Sequence, residues 1–278
     1  MFPSNMPSVS KITTSTALLL LATGATPALA ACTREDLLAA ASEFVTAVSA
    51  GNVTSLPLAA NFTYQEDNKP ASLESTPVFA QPLKVDLSRS TADTVECASY
   101  TLIISATGEN APYVLATQLR HPPSTDDEGE VDTSSLALID TIAATTGSLF
   151  FDAAKTLEYV RNESWDEIPE GERPSRELLR QVGDAYLDMW TDPTAADSIP
   201  WGEDCERVEG SQYTRPCGAQ LPHGGSQQNN GNRRYVIDEV VGSVDVLCSF
   251  DALGSLPDSH EIRVENGKVK YVHTVTVL

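Results

Sequence analysis

Two histidines near the C-terminus, His260 and His273, are the side chains of this chain best suited to acid–base work, because an unperturbed imidazole titrates near neutrality, at about 6.5. They flank Asn266-Gly267, a dipeptide that tolerates the positive φ angles of a two-residue hairpin turn. Counting outward in a regular register pairs Glu265 with Lys268, Val264 with Val269, Arg263 with Lys270, Ile262 with Tyr271, Glu261 with Val272 and His260 with His273. Strand alternation then gathers Val264, Ile262, Val269, Tyr271 and both imidazoles on one face, and Glu261, Arg263, Lys268 and Lys270 on the other. The expectation is an opposed His260–His273 pair on an inward, apolar face, against the plainer alternative of packed or solvent-facing histidines.

Around this pair, Tyr271 is a candidate hydrogen-bonding group. The segment 233–239 offers either Arg233, Tyr235, Ile237 and Glu239 or Arg234, Val236 and Asp238 to the same space. Arg234 and Asp238 are taken as ligand contacts, although a salt bridge alone would explain either set. Tyr186 and Trp201, with Trp190, are aromatic walls of a pocket or simply core. His260 and His273 with Asp258 or Asp238 match no recognised ligand spacing, so no metal is expected. The chain has no nucleophile elbow, Walker A loop, dinucleotide fingerprint or zinc-type cysteine cluster, which argues against redox and phosphoryl-transfer chemistry and for the absence of a cofactor. What remains needs a cavity and a few convergent polar groups, suited to a small, flat, apolar, oxygen-bearing metabolite.

Composition narrows the setting. Lys11 precedes an apolar run ending in Ala28-Leu29-Ala30, the pattern of a signal peptide over residues 1–30, too short to span a bilayer. The product is expected to be secreted or lumenal. Removing that segment takes away one Lys and no acid, changing the formal charge from 18 − 39 = −21 to 17 − 39 = −22. Such a chain repels phosphate, so neither nucleic acid nor an anionic membrane is expected as a partner. Sequons at Asn52, Asn61 and Asn162 fit the same compartment. Of the five cysteines, Cys205 and Cys217 flank a turn-rich segment and are expected to pair locally, and Cys32 with Cys97. Cys248, in VDVLCSF, is left as a buried thiol.

The elements that would position these groups come twice. A helix from about Arg34 to Ala50, opened by Thr33-Arg-Glu-Asp36, has the apolar stripe Leu37, Leu38, Ala41, Phe44, Val45 and Val48. It recurs 141 residues later as Leu178, Leu179, Val182, Ala185, Tyr186 and Met189. Ser55-Leu56-Pro57-Leu58 returns 143 residues later as Ser198-Ile199-Pro200-Trp201. The stretch around Ile142 and Gly147 resembles that around Ile262 and Gly267 at an offset of 120, which puts Asp140 in the place of His260. Strands are expected at 61–66, 93–105 and 113–120, then an acidic surface loop HPPSTDDEGEVDTSS. The organisation expected is residues 31–160, a polar linker 161–174, and residues 175–278. Each half is α+β, a long helix packed across a curved, antiparallel sheet. Whether the tandem unit pairs further into a homodimer is left open.

This plan resembles two SnoaL-like or nuclear transport factor 2-like domains in tandem, each a cone of one helix against a curved sheet. LLAAASEFV, LPLAANFTY, GDAYLDMW, IPWGEDCERVEG, NRRYVIDE and PDSHEIRVENGKVKYVHT resemble a family of secreted fungal proteins over nearly the whole mature chain. That group is similar in kind to fungal hetero-Diels–Alderases, which join a tropolone-derived ortho-quinone methide to a humulene-type sesquiterpene. The resemblance implies a cofactor-independent pericyclase; it carries over no catalytic residues. The alternatives are a secreted small-molecule-binding protein and a SnoaL-like cyclase or isomerase.

Overall fold

The computed structural model describes residue 1 and residues 32–108, 110–122 and 133–278. Apart from Met1, the expected signal segment lies outside the described residues, as does most of the acidic loop, 123–132.

Helix α1, Arg34–Ala50, begins where Thr33 accepts a hydrogen bond from the Asp36 amide, and ends at Gly51, whose φ of 65° suits a residue without Cβ. Gly51 also admits close approach: a Cβ there would stand 2.5 Å from Pro82 N. Strands β1 (Leu58–Glu66), β2 (Lys69–Ala71), β3 (Leu87–Asp93), β4 (Ala98–Ser105), β5 (Tyr113–Arg120) and β6 (Leu136–Thr145) follow, in the sheet order β2-β1-β6-β5-β4-β3. After α2 (Ala153–Val160), the plan repeats with α3 (Arg176–Asp188), the short α4 (Ala195–Ser198), and β7 (Trp201–Glu209), β8 (Gln212–Thr214), β9 (Gly231–Asp238), β10 (Ser243–Phe250), β11 (Leu256–Glu265) and β12 (Lys268–Thr276). The second sheet runs β8-β7-β12-β11-β10-β9.

The duplication is therefore complete, but three details differ from the sequence expectation. The helix caps Thr33 and Ser175 give an offset of 175 − 33 = 142, not 141, and this aligns buried Leu37 with Leu179 and Phe44 with Tyr186. The sheet orders make β6 the counterpart of β12 and β5 that of β11, so the offset of 120 had matched β6 to the wrong strand. The sheets are also mixed: β1 runs parallel to β6, and β7 to β12. In each half the chain crosses to the far sheet edge after its second strand, and three reversals bring it back beside its first strand in the same direction. The expected strand 93–105 starts on the last residue of β3, passes through a turn in which Cys97 takes a φ of 47°, and is strand again only from Ala98 as β4.

Four layers result. The buried stripe of α1 shares one core with Phe79, Ile103, Leu115, Leu119 and Ile139. That of α3 shares another with Ile237, Val244, Val246, Cys248, Ile262 and Val272. The opposite faces of the two sheets meet in a third core, Tyr100, Leu102, Ile142, Val236, Leu247 and Val275, joined by Leu157 and Val160 of α2. The order is helix, sheet, sheet, helix. Polar pairs cross this seam with the same twofold logic: Asp238 accepts from Arg34 and from the Ala92 amide, while Asp93 accepts from Arg176 and from the Ile237 amide. These are equivalent positions, since 176 − 34 = 142 and 238 − 93 = 237 − 92 = 145.

The expected pairings Cys32–Cys97 and Cys205–Cys217 both form, and Cys248 is a buried free thiol. No helix among the described residues is long and apolar enough to cross a membrane. All three sequon asparagines are exposed.

Candidate functional site

The closing hairpin is where sequence and structure part. Asn266 and Gly267 adopt φ of 54° and 69°, as the turn requires, and Val264 pairs with Val269. The register then slips: Arg263 pairs with Tyr271, Ile262 with Val272, Glu261 with His273 and His260 with Thr274. Lys270 is the extra residue of a β-bulge. One inserted residue turns everything after it to the opposite face, so His260 and His273 do not oppose each other. They lie on different faces of the sheet.

His260 looks toward α3, where Leu149, Phe150, Tyr186, Met189, Trp190 and Phe250 wall a cavity of about 350 Å³. Glu209, Gly210, Leu253, His260, Thr274 and Thr276 complete its lining. The imidazole ring is 5.1 Å from that of Tyr186 and 6.2 Å from that of Phe250. Its Nε2 stands 2.7 Å from Asp258 Oδ2, close enough for an ion pair though misaligned for a full hydrogen bond, and its Nδ1 has no partner. Asp258 is itself held: Oδ1 accepts from Thr276 Oγ1 at 2.8 Å and from the Ser259 amide at 3.0 Å. Catalytic hydrogen bonds in unliganded sites are commonly misaligned and tighten when a ligand binds. Burial and the nearby Glu209 keep the Tyr186 phenol far above its ordinary titration range, so it remains a donor, to Glu209 Oε1 at 3.1 Å.

Behind His260 lies Cys248. Its thiol is pushed well up by burial and by Asp258, which keeps it protonated and a poor nucleophile. Among the described residues, Cys248, Asp258 and His260 bring donor atoms within 4.8 Å of one another, the set best placed to hold a cation. The 2.7 Å between Nε2 and Oδ2 is an ion-pair separation. Two ligands on a tetrahedral ion at bond lengths of about 2.0–2.1 Å would stand roughly 3.3 Å apart. As built, the trio is an imidazole–carboxylate pair with a thiol beside it.

His273 belongs to a different assembly, in the seam between the sheets. Its Nε2 lies 2.8 Å from Glu163 Oε1 and its Nδ1 3.0 Å from Glu261 Oε2, onto which Arg89 also donates at 2.6 Å. Trp165 donates to Glu163 and covers Arg89, whose guanidinium is 3.7 Å from the indole centroid. Burial alone would lower the His273 pKa; the Glu163 carboxylate and the hydrogen bonds to Glu163 and Glu261 outweigh it and raise it. The segment 161–174, expected to be a linker, is thus a strap: Glu163 and Trp165 insert between the halves, and the Ser164 and Asp166 carbonyls accept from Arg263.

Of the other expected site residues, Tyr186 lines the cavity, and half-buried Trp201 packs at 6.3 Å from the Tyr186 ring without reaching it. Tyr271 stacks on Trp165 in the seam. Arg234 bonds Asp140 at 2.6 Å and Asp238 bonds Arg34, so both are ion-pair residues outside the cavity. Glu209, Thr276, Phe250 and Phe150 are site residues that periodicity does not flag, whereas Asp258 and His260, two apart on one strand, could have been paired from alternation.

Among the described residues the first half shows no equivalent of this imidazole–carboxylate site. The register that matches His260 with Thr274 matches Thr117 with Thr141 on β5 and β6, so Thr117 is the counterpart of His260. Phe44 replaces Tyr186, and Phe79 packs against Phe44 and Tyr64, each at 5.8 Å, filling the space. Asp140, by contrast, corresponds to His273: Gln118 pairs with Asp140 as Glu261 pairs with His273.

Residues 172–276 match the model of a domain of unknown function (DUF8021), 276 − 172 + 1 = 105 of the 278 residues, covering α3 and the second sheet. No curated protein matches the chain.

Proposed function

We propose that the cavity under α3 takes a flat, apolar, oxygen-bearing metabolite and that His260, backed by Asp258, moves a proton on it. The protein would then be a cofactor-independent cyclase or isomerase. One observation carries this reading: a buried imidazole lines an apolar cavity with neither nitrogen hydrogen-bonded and with Nε2 2.7 Å from a carboxylate fixed by Thr276. The tandem SnoaL-like plan, cone-shaped in each half, belongs to the same reading. Two disulfides, three exposed sequon asparagines and the expected signal segment support a secretory setting.

The hetero-Diels–Alderase is the narrower form of this proposal. In it His260 takes the tropolone hydroxyl proton at Nδ1, and the imidazolium so formed hydrogen-bonds that oxygen and returns the proton to the departing hydroxide as water, leaving the quinone methide beside the alkene that the protein orients. Ligand sites span about 300–1,000 Å³, and a cavity of about 350 Å³ suits one partner, with the second at the apolar mouth.

A substrate-independent assay tests the core of the claim. In 5-nitrobenzisoxazole a base removes the C3 proton as the N–O bond breaks, releasing a coloured cyanonitrophenolate. Wild-type protein is expected to accelerate this with saturation, and His260→Ala to lose about 10² of the rate, the lower end of general-base catalysis, while still binding 2-naphthol. Equal rates in wild type and variant refute the proton-transfer role. Binding without elimination leaves the secreted binding protein as the function.

A further inference from the structure

The cavity is built mainly by the second half, yet two of its lining residues, Leu149 and Phe150, come from the first, in the connection between β6 and α2. Phe150 holds φ at 50°, in the left-handed region that costs a bulky side chain conformational energy. The connection is clamped there. The Ser211 amide donates to the Phe150 carbonyl at 2.8 Å, and Thr156 Oγ1 donates to the Gly210 carbonyl at 2.8 Å. Gly210 leaves room for this approach, since a Cβ at that position would stand 2.8 Å from Leu149 O and 2.9 Å from Phe150 O.

The strain is not offset by burial of the ring, because Phe150 is 56 % exposed. Across the same cavity Leu253 is 45 % exposed. An aromatic side chain fixed in an unfavourable backbone, half in water and half on a cavity wall, contributes little to the fold. The geometry points to Phe150 as a specificity-determining residue: its ring forms a lip on which a flat ligand stacks, and the first half completes the site of the second. This rests on the cavity being the ligand site, as proposed above. The matched domain, residues 172–276, therefore lacks part of the pocket.

The test uses 2-naphthol, flat and carrying one hydroxyl, followed by fluorescence with the full-length protein. Loss of one stacking partner and its contact area is expected to weaken binding about tenfold in Phe150→Ala and Phe150→Gly. Phe150→Gly is also expected to raise the melting temperature, because glycine adopts this φ freely. A ring that merely holds the fold would give the reverse, a lower melting temperature with unchanged affinity, and that result overturns the proposal. If the wild type binds 2-naphthol and shows His260-dependent elimination while both Phe150 variants bind equally well, only the lip assignment falls. If the wild type binds nothing, the cavity reading falls with it.

Discussion

A neutral imidazole carries one proton, and the partner of one nitrogen decides what the other can do. In the proposed proton-transfer role, Asp258 beside Nε2 favours the proton there and leaves Nδ1 as the acceptor, the form a general base needs. Asp258→Asn keeps the size and the Thr276 contact but removes the charge that fixes this tautomer and steadies the imidazolium. The expected outcome is a loss of at least about 10² in the elimination rate with unchanged 2-naphthol affinity. A fall in affinity without a fall in rate would make Asp258 a packing residue. At this scale residue type was a sound guide and residue partner was not. That His260 and Tyr186 face the same interior was legible, because both sit on faces that alternation or helical period assigns, and both line the cavity. His273 was misplaced because the bulge at Lys270 has no mark in composition. Its partners Arg89 and Glu163 lie 184 and 110 residues away.

Elements were read best where their ends carry chemistry. Thr33 and Ser175 announce α1 and α3, and Asn266-Gly267 announces the last turn. Strand direction was lost because the parallel pairing of β1 with β6 depends on where the chain returns, not on any local residue. The disulfides tie these elements at different range. Cys32–Cys97 closes a separation of 65 residues between the start of α1 and the β3–β4 turn, and Cys205–Cys217 closes 12 within the second half. Constraint on the unfolded chain grows with the loop, giving about 4 kcal/mol for the first and about 3 kcal/mol for the second. Replacing each pair by alanines should therefore cost more stability at 32 and 97 than at 205 and 217, measured by urea unfolding. The opposite order would mean that native packing around Cys205 and Cys217 outweighs chain entropy.

For the molecule as a whole, the seam between the sheets was the least legible feature, since pairing two faces is non-local and the buried charges on them read as surface residues. Those charges, together with Asp67 in the β1–β2 turn, set a pH dependence. Asp67 is pushed up to about 6 from 3.8, chiefly by burial, so the stability linked to its proton is present below 3.8 and lost as pH rises through about 6. His273, raised above 6.5 because Glu163 and Glu261 outweigh burial, contributes fully below 6.5 and loses that contribution as pH climbs through its folded value. Glu261 runs the other way. Burial would raise it, but Arg89 and His273 hold it below 4.5, so its contribution is present above 4.5 and lost as pH falls. A formal charge of −21 adds self-repulsion on the alkaline side. These effects bracket a stability maximum between about 4.5 and 6.5. The melting temperature is expected to peak in that window and decline toward pH 8. His273→Gln, which cannot take up a proton, should lower the peak, flatten the alkaline decline and also soften the acid side, because Arg89 alone then holds Glu261 down. A melting temperature that rises from pH 6 to pH 8, or an alkaline decline unchanged in His273→Gln, would show that the buried imidazole between Glu163 and Glu261 does not hold the two halves together through its charge.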